Sequence, residues 1–355
     1  MKNKVTAIFL VLVFNGSGIY SAACQALRSP DAQVPIILDT DPGVDDALAI
    51  MFALNSTRID VKAITVTAGN VTLKQGLENA LKLVALAGRT DVPVAGGASS
   101  PLAQKLVTAE FFHGQNGLGN IELPVPSLKA DPRFAPDMII DLVHKYPHQL
   151  TLVAVGPETN LALAIDKDPS IVGLVKQVVV MGGSISGGNS TAAAEANIYN
   201  DPEAARVVFN AGWSLTMVGL NVTERTVFSQ ADLDLLEKTH GPQNDLAVKL
   251  LTFGIGVSRQ LGGEGMFMHD PLAIGSVTDP SVITTKSMWV DIETRGELTR
   301  GETVASRHNS NDRKVWNGDH YSIDNIEKVQ PNVQVAAEVD AEKFIKLFIV
   351  TLAGK

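Results

Sequence analysis

The sequence predicts an α/β protein: an open, mostly parallel sheet flanked by helices, Rossmann-like, in a single domain. Three observations predict it. Short β-branched runs alternate along the chain with segments whose apolar residues recur at helical spacing. The runs are apolar nearly throughout, as strands covered on both faces require. A composition of 45% hydrophobic and 19% charged residues over 355 positions supplies one large core and excludes disorder, collagen and coiled coil.

The elements follow in order. Val34-Pro35-Ile36-Ile37-Leu38 is a short run ending in acid and reads as the first strand. Val44 to Leu54 has helical spacing, with Pro42 near the first turn, where proline is tolerated. Val61 to Val66 is a second strand, Leu73 to Ala87 a helix stopped by Gly88, and Val92-Pro93-Val94 a short third strand. Alternation continues with a helix at Pro136 to Lys145, a strand at Leu150 to Val155 and a helix at Thr159 to Ala164. Val175 to Met181 reads as a buried strand turned by Gly182-Gly183, Pro202 to Asn210 as a helix and Ser214 to Leu220 as a strand. Ala98 to Val125 and Gly262 to Met268 are irregular and read as loops over a pocket. Strand pairs are expected within Ile283 to Thr303, around Gly296 and Gly301, and a closing helix at Ala341 to Leu352. With no internal repeat and no linker, one domain is expected over 34–355.

The N-terminus reads as an address. Lys2 and Lys4 precede an apolar run, Val5 to Phe14, that is too short for a bilayer, which needs about 20 residues. Asn15-Gly16-Ser17-Gly18 breaks it, and Ser21-Ala22-Ala23 offers the small side chains a signal peptidase needs, so 1–23 is expected to be a secretory signal peptide. Cys24, the only cysteine, sits where a bacterial lipoprotein carries its lipid, with Ser21 in place of the usual leucine. An internal disulfide is ruled out. The expectation is an exported protein, periplasmic or secreted, touching a membrane only if Cys24 is lipidated. Without Lys2 and Lys4 the chain carries 27 basic against 38 acidic side chains. Such a surface repels phosphate backbones, so nucleic acid is not an expected partner; a metal cation or a polyhydroxylated neutral ligand fits better.

The chemistry is expected at the carboxyl ends of the strands, where open α/β sheets bind their ligands. The first strand ends Asp39-Thr40-Asp41-Pro42-Gly43-Val44-Asp45-Asp46. A helix N-terminus explains one acid there, not four. Packed carboxylates repel one another unless protonated or holding a cation, and this density of hard oxygen suits calcium or magnesium. The plainer reading is a capped helix with solvated acids. The second strand ends at Asn70, a later one at Val155-Gly156-Pro157, and Met181-Gly182-Gly183 leads to Asn189, Glu195 and Asn197. An acid and two amides among alanines suit the gripping of several hydroxyls, or simply a polar loop. His269-Asp270-Pro271 follows Met266-Phe267-Met268, and His113 follows Phe111-Phe112. Each histidine reads either as a proton donor or as an ordinary cap or loop residue.

Taken jointly, these segments resemble the nucleoside hydrolase family of the inosine–uridine-preferring type. The resemblance runs from about Val34 to the C-terminus and rests on the Asp39 to Asp46 signature, Asn70, Gly-Pro-Glu-Thr-Asn at 156–160, Met181-Gly182-Gly183, the Asn189/Glu195/Asn197 set and His269-Asp270-Pro271. It implies calcium-dependent cleavage of the N-glycosidic bond of ribonucleosides, releasing ribose and base, and a homo-oligomer, dimer or tetramer. By position, Asp41, Asp46, the Val155 carbonyl and Asp270 would hold Ca2+, with Asp41 also the base that deprotonates the attacking water. Asp45, Asn70 and Asn197 would bind the 2′ and 3′ hydroxyls, and Asn189 and Glu195 the 3′ and 5′ side of the ribose. Met181 would pack on the sugar, His269 would protonate the leaving base, and His113 would lie near the substrate. Two departures accompany the match: Val155 stands where relatives often have threonine, and Gly254 to Met268 lacks the tyrosines some relatives place around the base.

Two rivals follow from the same residues. A haloacid-dehalogenase-like phosphatase also opens with a strand and Asp-x-Asp, here Asp39 and Asp41, but wants threonine or valine at the position of Gly43. An exported nucleoside-binding protein without turnover would keep the same cation site.

Overall fold

The first apolar run forms β1 (Val34–Thr40), which lies inside an eight-stranded sheet in the computed structural model. The structure describes residues 33–306, 314–316, 326–328 and 330–354; the expected signal peptide and Cys24 lie outside them. The other strands are β2 (Ile59–Val66), β3 (Val94–Gly96), β4 (Thr151–Ala154), β5 (Gln177–Met181), β6 (Leu215–Val218), β7 (Val227–Phe228), β8 (Met266–Phe267), β9 (Ile283–Met288), β10 (Val290–Ile292), β11 (Thr303–Ala305), β12 (Lys314–Trp316), β13 (Ile326–Lys328) and β14 (Val333–Val339). The main sheet runs β3-β2-β1-β4-β5-β6-β14-β9, parallel except for β9, which is antiparallel to β14. Three antiparallel pairs, β7 with β8, β10 with β11 and β12 with β13, stand apart from it. The α/β fold is the expected one.

Side chains alternate across β1 as its pleat demands. Ile36 and Leu38 enter one core, shared with the helices Val44–Asn55, Pro242–Gln260, His269–Thr278 and Ala341–Leu352. Ile37 enters a second core, shared with Ala135–Lys145, Thr159–Lys167 and Pro202–Phe209. The sheet is therefore covered on both faces, which is why its strands read as continuous apolar runs. Strand order reverses direction between β1 and β4, the topological switch point at which a crevice opens beyond the strand ends.

Several boundaries moved. Leu220 does not extend β6; it starts a helical turn, Leu220–Thr223, after Gly219. The segment expected to hold strand pairs splits: β9 joins the main sheet, and only β10 and β11 form a hairpin. The long loop Ala98 to Val125 contains one turn of helix, Glu110–His113. The 19-residue helix Pro242–Gln260 carries polar and glycine residues among its apolar ones, so its period was not evident.

Candidate active site

The crevice is a cavity of about 880 Å³, and every expected site residue except Asp46 lines it. Asp41 follows β1, Asn70 follows β2, Val155 follows β4, and Met181 closes β5. His269 and Asp270 open the helix His269–Thr278, which packs on Val44–Asn55, so residues some 230 positions apart meet over the switch point.

The acids are not solvated helix caps. Asp39, Asp41, Asp45, Asp46 and Asp270 are all buried. Asp46, third residue of its helix, accepts on both carboxylate oxygens. Its Oδ1 accepts from the Thr40 hydroxyl at 2.5 Å and the Asp41 N–H at 3.1 Å. Its Oδ2 accepts from the Gly43 N–H at 3.0 Å and the Asn70 amide at 2.9 Å. Carboxylate oxygens of Asp45, Asp46 and Asp270 lie within 4.8 Å of one another. Asp41 stands beside this trio. Its Oδ2 accepts from the Asn70 N–H at 2.6 Å, while its Oδ1 and the Oδ1 of Asp45 are buried with no hydrogen-bond partner among the described residues. A Cβ at Gly69 or Gly156 would overlap the Asp41 carboxylate, so both glycines are needed to let it lie there. Asp39 belongs to a different job. It faces the other side of the sheet, and its Oδ1 accepts from the Thr65 hydroxyl at 2.5 Å and the Asn160 amide at 2.8 Å.

Orphaned buried carboxylate oxygens, together with a tight acidic trio, fit a divalent cation: a buried charge is tolerable only when paired or neutralised. Burial first, and then the neighbouring acids, push Asp41 and Asp270 well above the ordinary carboxylate range.

Around the acids stand the polar groups expected to meet a sugar. The Asn197 amide donates to the Val155 carbonyl at 2.9 Å and the Met181 carbonyl at 3.0 Å. Glu195 caps the helix Ala196–Asn200, accepting from the N–H groups of Asn197 at 2.9 Å, Ile198 at 3.1 Å and Gly183 at 3.0 Å. The Asn189 side-chain carbonyl accepts from the Ala196 N–H at 3.0 Å. Glu195 is thus first a structural cap, and its place on the cavity follows from that. His113 Nδ1 accepts from the Val44 N–H at 3.1 Å and lies 3.7 Å from Asp45. His269 Nδ1 is 2.8 Å from the Thr223 hydroxyl. Burial lowers both histidines to about 4, so each ring is neutral at pH 7.

Comparison with known proteins decides among the readings. Residues 36–346 match the model of the inosine-uridine preferring nucleoside hydrolases. The chain belongs to the inosine-uridine preferring nucleoside hydrolase family. It is 38% identical over 322 residues to the pyrimidine-specific ribonucleoside hydrolase RihA of Photobacterium profundum, covering 90% of this chain and 99% of that one. Among solved structures, a plant nucleoside hydrolase superposes with a TM-score of 0.83 at 36% identity, over 91% of this chain and 99% of that one. A purine-preferring ribonucleoside hydrolase from Gardnerella vaginalis gives 0.80 at 33%, over 90% and 98%. This nucleoside hydrolase is therefore an enzyme that cleaves N-glycosidic bonds of ribonucleosides, which removes the phosphatase and the pure binding protein.

The nucleoside hydrolase cavity also holds residues that sequence reasoning did not select. Val107, Phe112, Val257, Leu261, Met266 and Phe267 form an apolar wall, and Phe267 lies 5.7 Å from the His269 ring. Half-exposed aromatics beside a histidine were a visible signal at Phe111-Phe112 and Met266-Phe267. Val257, on Pro242–Gln260, gives none, because that helix has no clear apolar period.

The buried acids make the metal-free enzyme sensitive to pH. Burial pushes Asp39 and Asp45 up to about 7, in Asp45 with help from Asp46, whereas unfolded aspartates titrate near 3.9. The native state therefore holds protons that the unfolded chain has released, and stability falls as pH rises toward and through 7. His113 and His269 act oppositely, but only between about 4 and 6.5. In chelator, the melting temperature is expected to fall from pH 6.5 to pH 7.5, and an added divalent cation to restore it more at 7.5. A chelated protein equally stable at both values would contradict this reading of the cluster.

Proposed function

We propose that this enzyme hydrolyses ribonucleosides to ribose and free base in a calcium-dependent reaction, outside the cytoplasm, as a salvage step. The observation that carries the metal part is the set of buried, unpartnered oxygens of Asp41 and Asp45 beside the Asp45–Asp46–Asp270 trio. Asp41, Asp46, Asp270 and the Val155 carbonyl would hold the ion. Bound there, a divalent cation supplies Lewis acidity toward water.

The chain's own groups do the rest. Asp41 takes the proton of the attacking water, and its burial favours that uptake. Asp45, Asn70 and Asn197 bind the 2′ and 3′ hydroxyls, Asn189 and Glu195 the 3′ and 5′ side, and Met181 packs on the sugar. Held in this way, the ribose is fixed near its reactive shape, and positioning of this kind contributes roughly 7–11 kcal/mol. The surrounding carboxylates stabilise the positive charge that grows on the ring in an oxocarbenium-like transition state. His269 faces the departing base, and His113 lies near the substrate on its loop. Because the wall around the base is apolar, we read it as stacking on purines and pyrimidines rather than reading their edges. The similar RihA of Photobacterium profundum is a pyrimidine-specific ribonucleoside hydrolase, and the similar enzyme of Gardnerella vaginalis is purine-preferring.

The signal-like leader supports export, with Cys24 as the site of any lipid anchor, and the family resemblance supports a dimer or tetramer. A panel of inosine, uridine, adenosine and cytidine, assayed with and without chelator, tests the reading. Base and ribose release that chelation stops and Ca2+ restores is expected. Release unaffected by chelation would remove the cation from it, and binding without turnover would remove the catalysis.

A further inference from the structure

The hairpin of β10 and β11 contributes none of the acids or sugar-binding groups, yet the turn between its strands is wired into the cavity wall. Arg300 is the junction. Its Nε donates to the Gln104 side-chain carbonyl at 3.2 Å, its Nη2 to the Glu203 carboxylate at 2.8 Å, and its Nη1 to the Thr294 carbonyl. Gln104 lines the cavity, and its amide nitrogen donates to the carbonyls of Tyr199 and Asn200, both at 2.6 Å. Two further bonds join the same segments. The Asn200 amide donates to the Val107 carbonyl at 3.3 Å, and the Leu102 N–H donates to the Asp201 carboxylate at 2.9 Å. Gly301, at φ +81°, is packed so closely that a Cβ would meet the Tyr199 backbone at 2.9 Å. Residues 98–109 have no regular secondary structure, so side-chain bonds of this kind hold them in place.

We propose that Arg300 is a positioning residue for the substrate site. It fixes Gln104, and through Gln104 it holds the 102–107 wall against the helix that carries Asn197. The proposal rests on the ribonucleosidase reading and adds to it the group that keeps the site assembled. A guanidinium presents its donors in a planar fork and serves three acceptors at once, which a lysine ammonium at the end of a flexible stem does not. Arg300 and Glu203 are both partly exposed, so their pair adds little to global stability. The expected loss is local. A wall released from Arg300 spends part of its time in arrangements that do not bind, and the apparent KM rises by the inverse of the competent fraction while turnover of bound substrate persists.

The test compares Arg300→Met and Arg300→Lys with the wild type on uridine and inosine. Both variants are expected to raise KM about tenfold with kcat within about threefold. Both are also expected to speed tryptic cleavage after the exposed Lys105, a readout independent of activity. Gln104→Leu is expected to act alike, and the Arg300→Met/Gln104→Leu pair to raise KM no further than Gln104→Leu alone, since Arg300 reaches the wall through Gln104. Unchanged KM, a loss in kcat alone, additive effects or unchanged cleavage at Lys105 would each overturn the proposal. If Arg300→Met does not fold, Glu203→Gln loosens the same guanidinium and is read by the same two measures. A wild type that releases no base overturns the activity reading instead, and the cleavage arm still decides whether Arg300 holds the wall.

Discussion

Asp41→Ala is expected to reduce ribonucleoside hydrolysis to below about 10⁻⁴ of the wild-type rate. Loss of a general base alone costs about 10²–10⁴-fold, and the same substitution removes a proposed cation ligand. Asp41→Asn separates these roles from folding. The amide keeps the shape, and its oxygen can still accept from the Asn70 N–H, now met by Asp41 Oδ2 at 2.6 Å. It also removes a charge that Asp45 and Asp46 repel. The metal-free Asn variant should therefore melt no lower than the wild type while losing at least about 10²-fold in kcat. A calorimetric scan beside the assay checks both halves. Near-normal turnover in either variant overturns the assignment of Asp41, whatever its stability.

Much of this site was legible because its signal is local. Four acids in eight positions after an apolar strand are more than a helix N-terminus explains, and their burial shows that solvation does not account for them. The parallel sheet was legible for a similar reason, since burial on both faces writes itself into each strand as an apolar run. What the sequence hid was long-range or doubly used. Asp39 looked like its neighbours, but the pleat turns it toward Thr65 and Asn160 on the opposite face. Glu195 looked like a sugar ligand, and its first task is to cap a helix. Asp45 looked like a binder of ribose hydroxyls, and its carboxylate also lies in the acidic trio with Asp46 and Asp270. The apolar wall drew on Pro242–Gln260, whose mixed face gave no clear period, and the Gln104–Arg300 contact joins residues nearly 200 positions apart.

His269→Ala is expected to lower kcat on inosine by about 10²-fold, the lower end of the range for general acids, and to leave hydrolysis of p-nitrophenyl riboside within about fivefold of the wild type. The reason for the lower end is electrostatic. Burial, aided by His113, lowers His269 to about 4, so the ring is neutral at pH 7 and has no imidazolium proton to give. In the proposed role it serves instead as a neutral donor whose bond strengthens as negative charge gathers on the departing base. That requires the ring proton on Nε2, which holds when the Thr223 hydroxyl, 2.8 Å from Nδ1, donates to that nitrogen. Thr223→Val removes this donor and is expected to cost part of the same factor on inosine and little on the activated substrate. A nitrophenolate leaves without protonation, so the ratio of the two substrates isolates the leaving-group role from packing against Phe267. Equal losses on both substrates would place His269 in substrate binding rather than in stabilising the leaving base.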